Sequence, residues 1–334
     1  MKEKQDIYVG CLLGGAVGDA LGYAVEFYED EAIFRKYGEK GICKYELYQG
    51  VAEISDDTQM TLFTAEGLLS RTAATDPVMA LHKAYLDWYK TQTASTPLAD
   101  GGLLSIRELY SSRAPGNTCL NALERGICGT LERPINRSKG CGGIMRVAPV
   151  ALYGYRRGMS VEATDVLAAR AAAITHGHEL GYIPAAMLVH ILYRILEGRE
   201  LLSAVEDALS AASRIFPDSV HAQTAIDLIR AAIELSSQEL DDLDAIRELG
   251  QGWVAEETLA IAVYCCLKHE GDFEGCVIAA VNHSGDSDST GAVAGNIIGA
   301  VVGENGIPKH FSKPLELREL TVRLALALCG DGKA

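Results

Sequence analysis

A chain of 334 residues with 48% hydrophobic and 22% charged side chains can bury a substantial core, as one large domain or two ordinary ones. Its formal charge of −15 argues against binding a nucleic acid backbone, so no nucleic-acid partner is expected; an anionic substrate would need bound divalent cations or helix N-termini to reverse the field locally. The nine cysteines include no C-x-x-C pair and the first residues, MKEKQDIYVG, carry no signal-peptide apolar run, which predicts a reduced, cytoplasmic setting.

Apolar periodicity is helical nearly everywhere. Segments 55–71, 77–90, 161–174, 200–214, 220–235, 254–269 and 315–329 repeat apolar residues at three- and four-residue spacing; in 220–235, Ala225, Leu228, Ile229, Ala232 and Ile233 share one face. Gly41–Tyr48 is the best strand candidate, and a weak one. Tyr182–Leu196, interrupted by His190 and Arg194, is too short and too polar for a membrane span and is expected to be a buried helix. Breakers at Asp76-Pro77, Ser95–Ala99, Ala114-Pro115-Gly116, Arg133-Pro134, Phe216-Pro217 and Gly303–Pro308 divide the helices without forming a long linker. The expectation is an all-α fold with residues 1–334 as a single domain.

Glycines cluster inside two apolar helical runs, Gly14–Gly22 and Gly291–Gly295. Each costs roughly 1 kcal/mol relative to alanine in a helix interior. Either a ligand or a second helix is therefore expected against bare backbone.

Two acidic segments stand out. Glu53–Gln59 (EISDDTQ) leads into a helix, with Ser55 or Asp56 as its N-cap; on its own, this pattern is adequately explained by capping. His283–Gly291 (HSGDSDSTG) crowds carboxylates and hydroxyls against a run that must be buried, which suits a hard cation. An EF-hand is excluded because Ile297 occupies the twelfth loop position, where a bidentate Glu is required. If both segments face one cavity, four carboxylates converge, and two divalent ions roughly 3.5–4 Å apart would balance them as a hydrolytic centre. Oxygen-only ligands favour Mg²⁺ or Mn²⁺ over Zn²⁺.

With these motifs the sequence resembles the ADP-ribosylglycohydrolase family, whose bacterial members include the dinitrogenase reductase-activating glycohydrolases. The resemblance rests on six segments in order: Gly14–Phe27, Ser55–Leu69, Ser138–Pro149, Thr175–Tyr182, Gly250–Leu267 and Ala280–Gly295. It implies an orthogonal helical bundle with a binuclear Mg²⁺ or Mn²⁺ site. The implied metal ligands are Ser55, Asp56, Asp57, Asp286, Asp288 and Ser289, with Thr290 the less favoured hydroxyl. In the loop 138–143, Ser138, Gly140, Gly142 and Gly143 would hold the diphosphate, with Cys141 standing where relatives often carry Asn. His176 would contact ADP-ribose, although a lone His on an apolar flank is also a common structural residue. Trp253 would stack on adenine or belong to the core. Glu26 would sit near the scissile ribose, and Asp100 would hold an arginine leaving group, with Gly101 replacing a usual branched residue.

The implied reaction is hydrolysis of ADP-ribose from modified protein, at arginine foremost. The two cations would fix the distal ribose, and Asp56, Asp57 or Glu26 would serve as base or electrostatic stabiliser. Serine-linked or other O-linked ADP-ribose, non-catalytic ADP-ribose binding, and metal-dependent phosphatase activity are the alternatives.

Overall fold

The structure, a computed structural model, describes residues 3–330. Among them are sixteen α-helices and no strand. The first eight are α1 (Lys4–Gly22), α2 (Asp30–Tyr37), α3 (Asp56–Ser70), α4 (Pro77–Thr93), α5 (Asn117–Glu124), α6 (Ala148–Arg156), α7 (Val161–Ala173) and α8 (Glu179–Leu196). The remainder are α9 (Leu201–Ile215), α10 (Val220–Ser236), α11 (Asp242–Leu249), α12 (Ala255–Lys268), α13 (Phe273–Val281), α14 (Ser287–Val302), α15 (Lys309–Ser312) and α16 (Arg318–Cys329). One continuous apolar core draws on helices from α1 to α16.

Most helix limits follow the predicted segments because capping residues set them. Asp76 accepts from Val78 N ahead of Pro77, and the hydroxyls of Ser160 and Ser219 cap α7 and α10. Two expectations need correction. Gly41–Tyr48 forms no strand: the backbone N–H and C=O of Ile42 are satisfied by the Asn282 side chain, at 2.7 and 3.0 Å, in place of a neighbouring strand. The last helix starts at Arg318, since Leu315 pairs with Ala52 and Leu317 adopts a left-handed φ of 53°. The apolar run at 182–196 also extends further than its composition suggested: α8 has 18 residues, enough by length and apolarity to span a bilayer, and 89% of that window is buried inside the protein.

The clustered glycines are explained by the contact between α1 and α14. The two helices run antiparallel, with Gly10, Gly14 and Gly18 facing Gly299, Gly295 and Gly291. A Cβ on Gly18 would lie 1.9 Å from Gly291 O, and one on Gly295 would lie 2.1 Å from Gly14 O. The backbones meet without intervening side chains, and the four-residue spacing keeps every glycine on the shared face. Of the two expected causes of the clustering, helix packing is the one observed. This seam brings Gly22, at the end of α1, against Ser287 and Asp288, in the first turn of α14.

Candidate functional site

Three elements carry the acidic residues to one cleft. Ser55 is the N-cap of α3, its hydroxyl accepting from Asp57 N at 3.2 Å. Asp19 of α1 accepts from Ser55 N at 3.0 Å, from Thr58 N at 3.1 Å and from the Thr58 hydroxyl, so α1 holds the start of α3 in place. On the other side, Arg113 forms a bidentate ion pair with Glu316 at 2.5 and 3.0 Å and donates to Ile54 O at 2.9 Å. The Arg113 carbonyl accepts from Asp56 N, and Glu316 accepts from Ile54 N, which fixes the extended residues leading into α3.

Asp286 caps α14 by accepting from Ser289 N, and its own N–H donates to Gln251 O at 2.8 Å. The loop carrying Trp253 is thereby tied to the acidic segment. Trp253 O in turn accepts from Cys141 N, and Ala255 N donates to Lys139 O, joining the same loop to the glycine-rich turn.

The outcome is a cavity of about 200 Å³ with an acidic floor. Asp56, Asp57 and Asp288 each bring a carboxylate oxygen within 4.8 Å of the others, an arrangement that could hold a metal ion. Asp286, Ser289 and Glu26 also line the cavity. Burial pushes the carboxyls of Asp56, Asp57 and Asp288 well above the usual range, and the neighbouring acids add to the rise. Glu26 rises to about 9 through burial and the proximity of Asp286, Asp56 and Asp19; Asp19 rises to about 6 through burial, opposed by its hydrogen bonds. Asp57 Oδ2 and Glu26 Oε2 are buried with no hydrogen-bond partner. Such orphaned oxygens in an all-oxygen donor set fit a hard divalent cation.

The other predicted positions separate into two groups. Gly140, Gly142, His176 and Trp253 line the cavity, whereas Ser138, Gly143 and Ser55 do not. Ser138 instead pairs with Thr118 and accepts from Gly140 N, and Gly143 gives close passage to α8, where a Cβ would meet Gly181 O at 2.9 Å. Thr290 donates to Ala280 O at 2.7 Å. Cys141, in place of Asn, keeps its thiol protonated through burial and the adjacent Asp286, and donates to Asp286 Oδ2 at 2.7 Å. Trp253 is 40% exposed and stacks on exposed Phe27 with ring centroids 6.0 Å apart, so its place is the cleft mouth rather than the core. Asp100 departs from expectation: it lies on an exposed loop whose Leu103 N–H is held by Glu66, and it is not among the cleft-lining residues.

Sequence reasoning missed Asp19, whose signal was a lone acid inside an apolar run. It also missed the wall formed by Gly116, Asn117, Thr118 and Met145. A further omission is the support behind His176. Arg146, fully buried, donates to the Thr175 hydroxyl at 2.6 Å, and that hydroxyl lies 2.9 Å from His176 Nδ1. Thr175 thus ties Nδ1 to the buried guanidinium and turns Nε2 toward Gly140 and Gly142. Burial and Arg146 lower the His176 pKa to about 3, so the ring is neutral at physiological pH. Thr175→Val should remove this hydrogen bond to Nδ1. The expected result is a roughly tenfold rise in KM, the worth of about one hydrogen bond, with a smaller change in kcat and a changed His176 ¹⁵N spectrum. An unchanged spectrum would refute the Thr175–His176 contact.

The sequence profile of the ADP-ribosylglycohydrolase family matches residues 1–333. The chain belongs to this family. ADP-ribosylglycohydrolases similar to it include the ADP-ribosyl-[dinitrogen reductase] glycohydrolase of Rhodospirillum rubrum, 26% identical over 96% of this chain and 97% of the relative. The ADP-ribosylarginine hydrolase Tri1 of Pseudomonas putida (strain GB-1) is 25% identical over 96% of this chain and 76% of its own length. Among solved structures, one titled an ADP-ribosylglycohydrolase-related protein complex superposes with a TM-score of 0.70 at 28% identity, covering all of both chains. As an ADP-ribosylglycohydrolase, the protein is a hydrolase of ADP-ribose linkages, and its acidic cleft is the candidate centre for that chemistry.

Proposed function

We propose that the protein, acting as one domain in the cytoplasm, releases ADP-ribose from modified protein side chains, at the N-glycosidic bond to arginine foremost. The proposed centre is a pair of Mg²⁺ or Mn²⁺ ions held by Asp56, Asp57, Asp286, Asp288 and Ser289, with Ser55, which does not line the cavity, capping α3 beneath them. The observation carrying this reading is the cluster of buried carboxylates beside a glycine-rich turn, with two carboxylate oxygens left unpartnered. An ADP-ribosylarginine hydrolase and the ADP-ribosylhydrolase ARH3 of Mus musculus match the chain at 25% and 27% identity, so the linkage is decided by the test below, and nine free thiols support the reducing compartment.

Bound cations would supply Lewis acidity and a positive field for the ribose and diphosphate oxygens. The chain's own groups divide the remaining tasks. His176 Nε2 and the Gly140–Gly142 backbone offer polar contacts to the substrate, and the exposed face of Trp253 offers a platform for adenine. Glu26, a cleft-lining acid whose pKa is raised to about 9 by burial and then by Asp286, Asp56 and Asp19, is placed to hold or move a proton near the sugar. Asp100 is left without a role, because it does not line the cleft.

The test is release of free ADP-ribose from arginine-ADP-ribosylated and serine-ADP-ribosylated proteins, with Mg²⁺ or Mn²⁺ and with a chelator. Cation-dependent release from the arginine conjugate is expected. Release from the serine conjugate alone would overturn the linkage, and release from neither would overturn the reaction.

A further inference from the structure

A second concave site lies at the far end of α3 from the acidic cluster. The 15 residues of α3 separate the two by about 20 Å at 1.5 Å per residue. Here the C-terminal ends of α3, α6 and α16 meet around a cavity of about 350 Å³ lined by Arg71, Arg156, Arg157 and Tyr153 over an apolar wall that includes Leu68 and Leu328. Three guanidiniums share this one cavity on a chain with 45 acidic and 30 basic residues, yet none pairs with a carboxylate among the described residues.

Compensation of helix dipoles accounts for part of this charge. Each helix C-terminus presents roughly half a negative charge, so three of them balance about half of the three cations. The hydrogen bonds leave a similar surplus. Arg71 donates to Thr75 O at 3.1 Å and to the Tyr153 hydroxyl, and Arg156 Nε donates to Cys329 O at 2.8 Å. Arg157 lies over the Tyr153 ring, 5.8 Å from its centroid, with no hydrogen-bond acceptor among the described residues. With about five donors per guanidinium, most remain available to a ligand.

We propose that this cavity binds a phosphate-bearing small molecule, a diphosphate in particular, at a site separate from the acidic cleft. The volume suits a small ligand rather than a peptide, guanidinium forks match phosphate oxygens in bidentate fashion, and the apolar wall accepts a short organic body.

The test uses inorganic pyrophosphate titrated calorimetrically into the full-length protein in the presence of a chelator, which keeps divalent ions from complexing the probe. Saturable binding is expected, weakened roughly tenfold or more in the Arg156→Ala/Arg157→Ala double variant. Arg157→Ala alone, which removes no hydrogen bond within the chain, should weaken binding without moving the melting temperature, and cation-dependent ADP-ribose release should be unaltered in it. Three results would overturn the proposal: no saturable binding by the unaltered protein, equal binding by the double variant, or binding abolished by Trp253→Ala instead, which would place the anion in the acidic cleft.

Discussion

Asp57→Asn should lower cation-dependent ADP-ribose release by roughly 10³-fold or more, a loss of several kcal/mol in transition-state stabilisation. The same substitution should stabilise the cation-free protein. Asp57 is buried among Asp56, Asp19 and Asp286 with Oδ2 unpartnered, so its ionised form is opposed by both desolvation and like charge. Removing about 1–2 kcal/mol of that strain corresponds to a rise of roughly 1–3 °C in melting temperature for a chain of this size.

The pH dependence has a definite sign. These carboxyls have folded-state pKa values raised above their unfolded values of about 4. Between the two values the folded chain retains protons that the unfolded chain has lost, so stability falls as pH rises. The decline should begin near pH 4 and continue through about 6, for Asp19, and about 9, for Glu26. Melting curves of the chelated protein should therefore fall between pH 5 and 8, with added Mn²⁺ reducing the slope and Asp57→Asn gaining most at the alkaline end. A chelated protein whose stability rises over this range would contradict the electrostatic account.

Gly18→Ala should be strongly destabilising. The added carbon would sit 1.9 Å from Gly291 O and 2.4 Å from Gly291 C, both backbone atoms, so the helices must separate for it to fit. Overpacking of this kind costs about 3 kcal/mol, which a shift in the urea midpoint would reveal. Activity should suffer as well, because Asp19 and Asp288 ride on the two helices that move apart. A normal midpoint with normal activity would show that the seam can yield, and that it does not set the spacing of the acidic residues.

The sequence conveyed the helices well because their capping signals and apolar periods coincide, as at Asp76-Pro77 and along 220–235. It misjudged segments that depend on distant side chains. Gly41–Tyr48, a weak strand candidate by pattern, is instead held by Asn282, some 240 positions away, which satisfies Ile42. The acidic set could be anticipated from two local motifs, whereas the residues that hold it were hidden. Asp19, Arg113 with Glu316, and Arg146 with Thr175 act through long-range hydrogen bonds that no spacing encodes. Trp253 shows the converse, since only its exposure and its contact with Phe27 decide between core and cleft.

The most direct measurement is titration of Mn²⁺ into the chelator-cleared protein, followed by electron paramagnetic resonance. The proposed centre predicts two bound equivalents with a spin-coupled signal that is lost in Asp57→Asn. An uncoupled single ion, or uptake unchanged by that substitution, would contradict the assignment of the acidic cleft as a two-cation site.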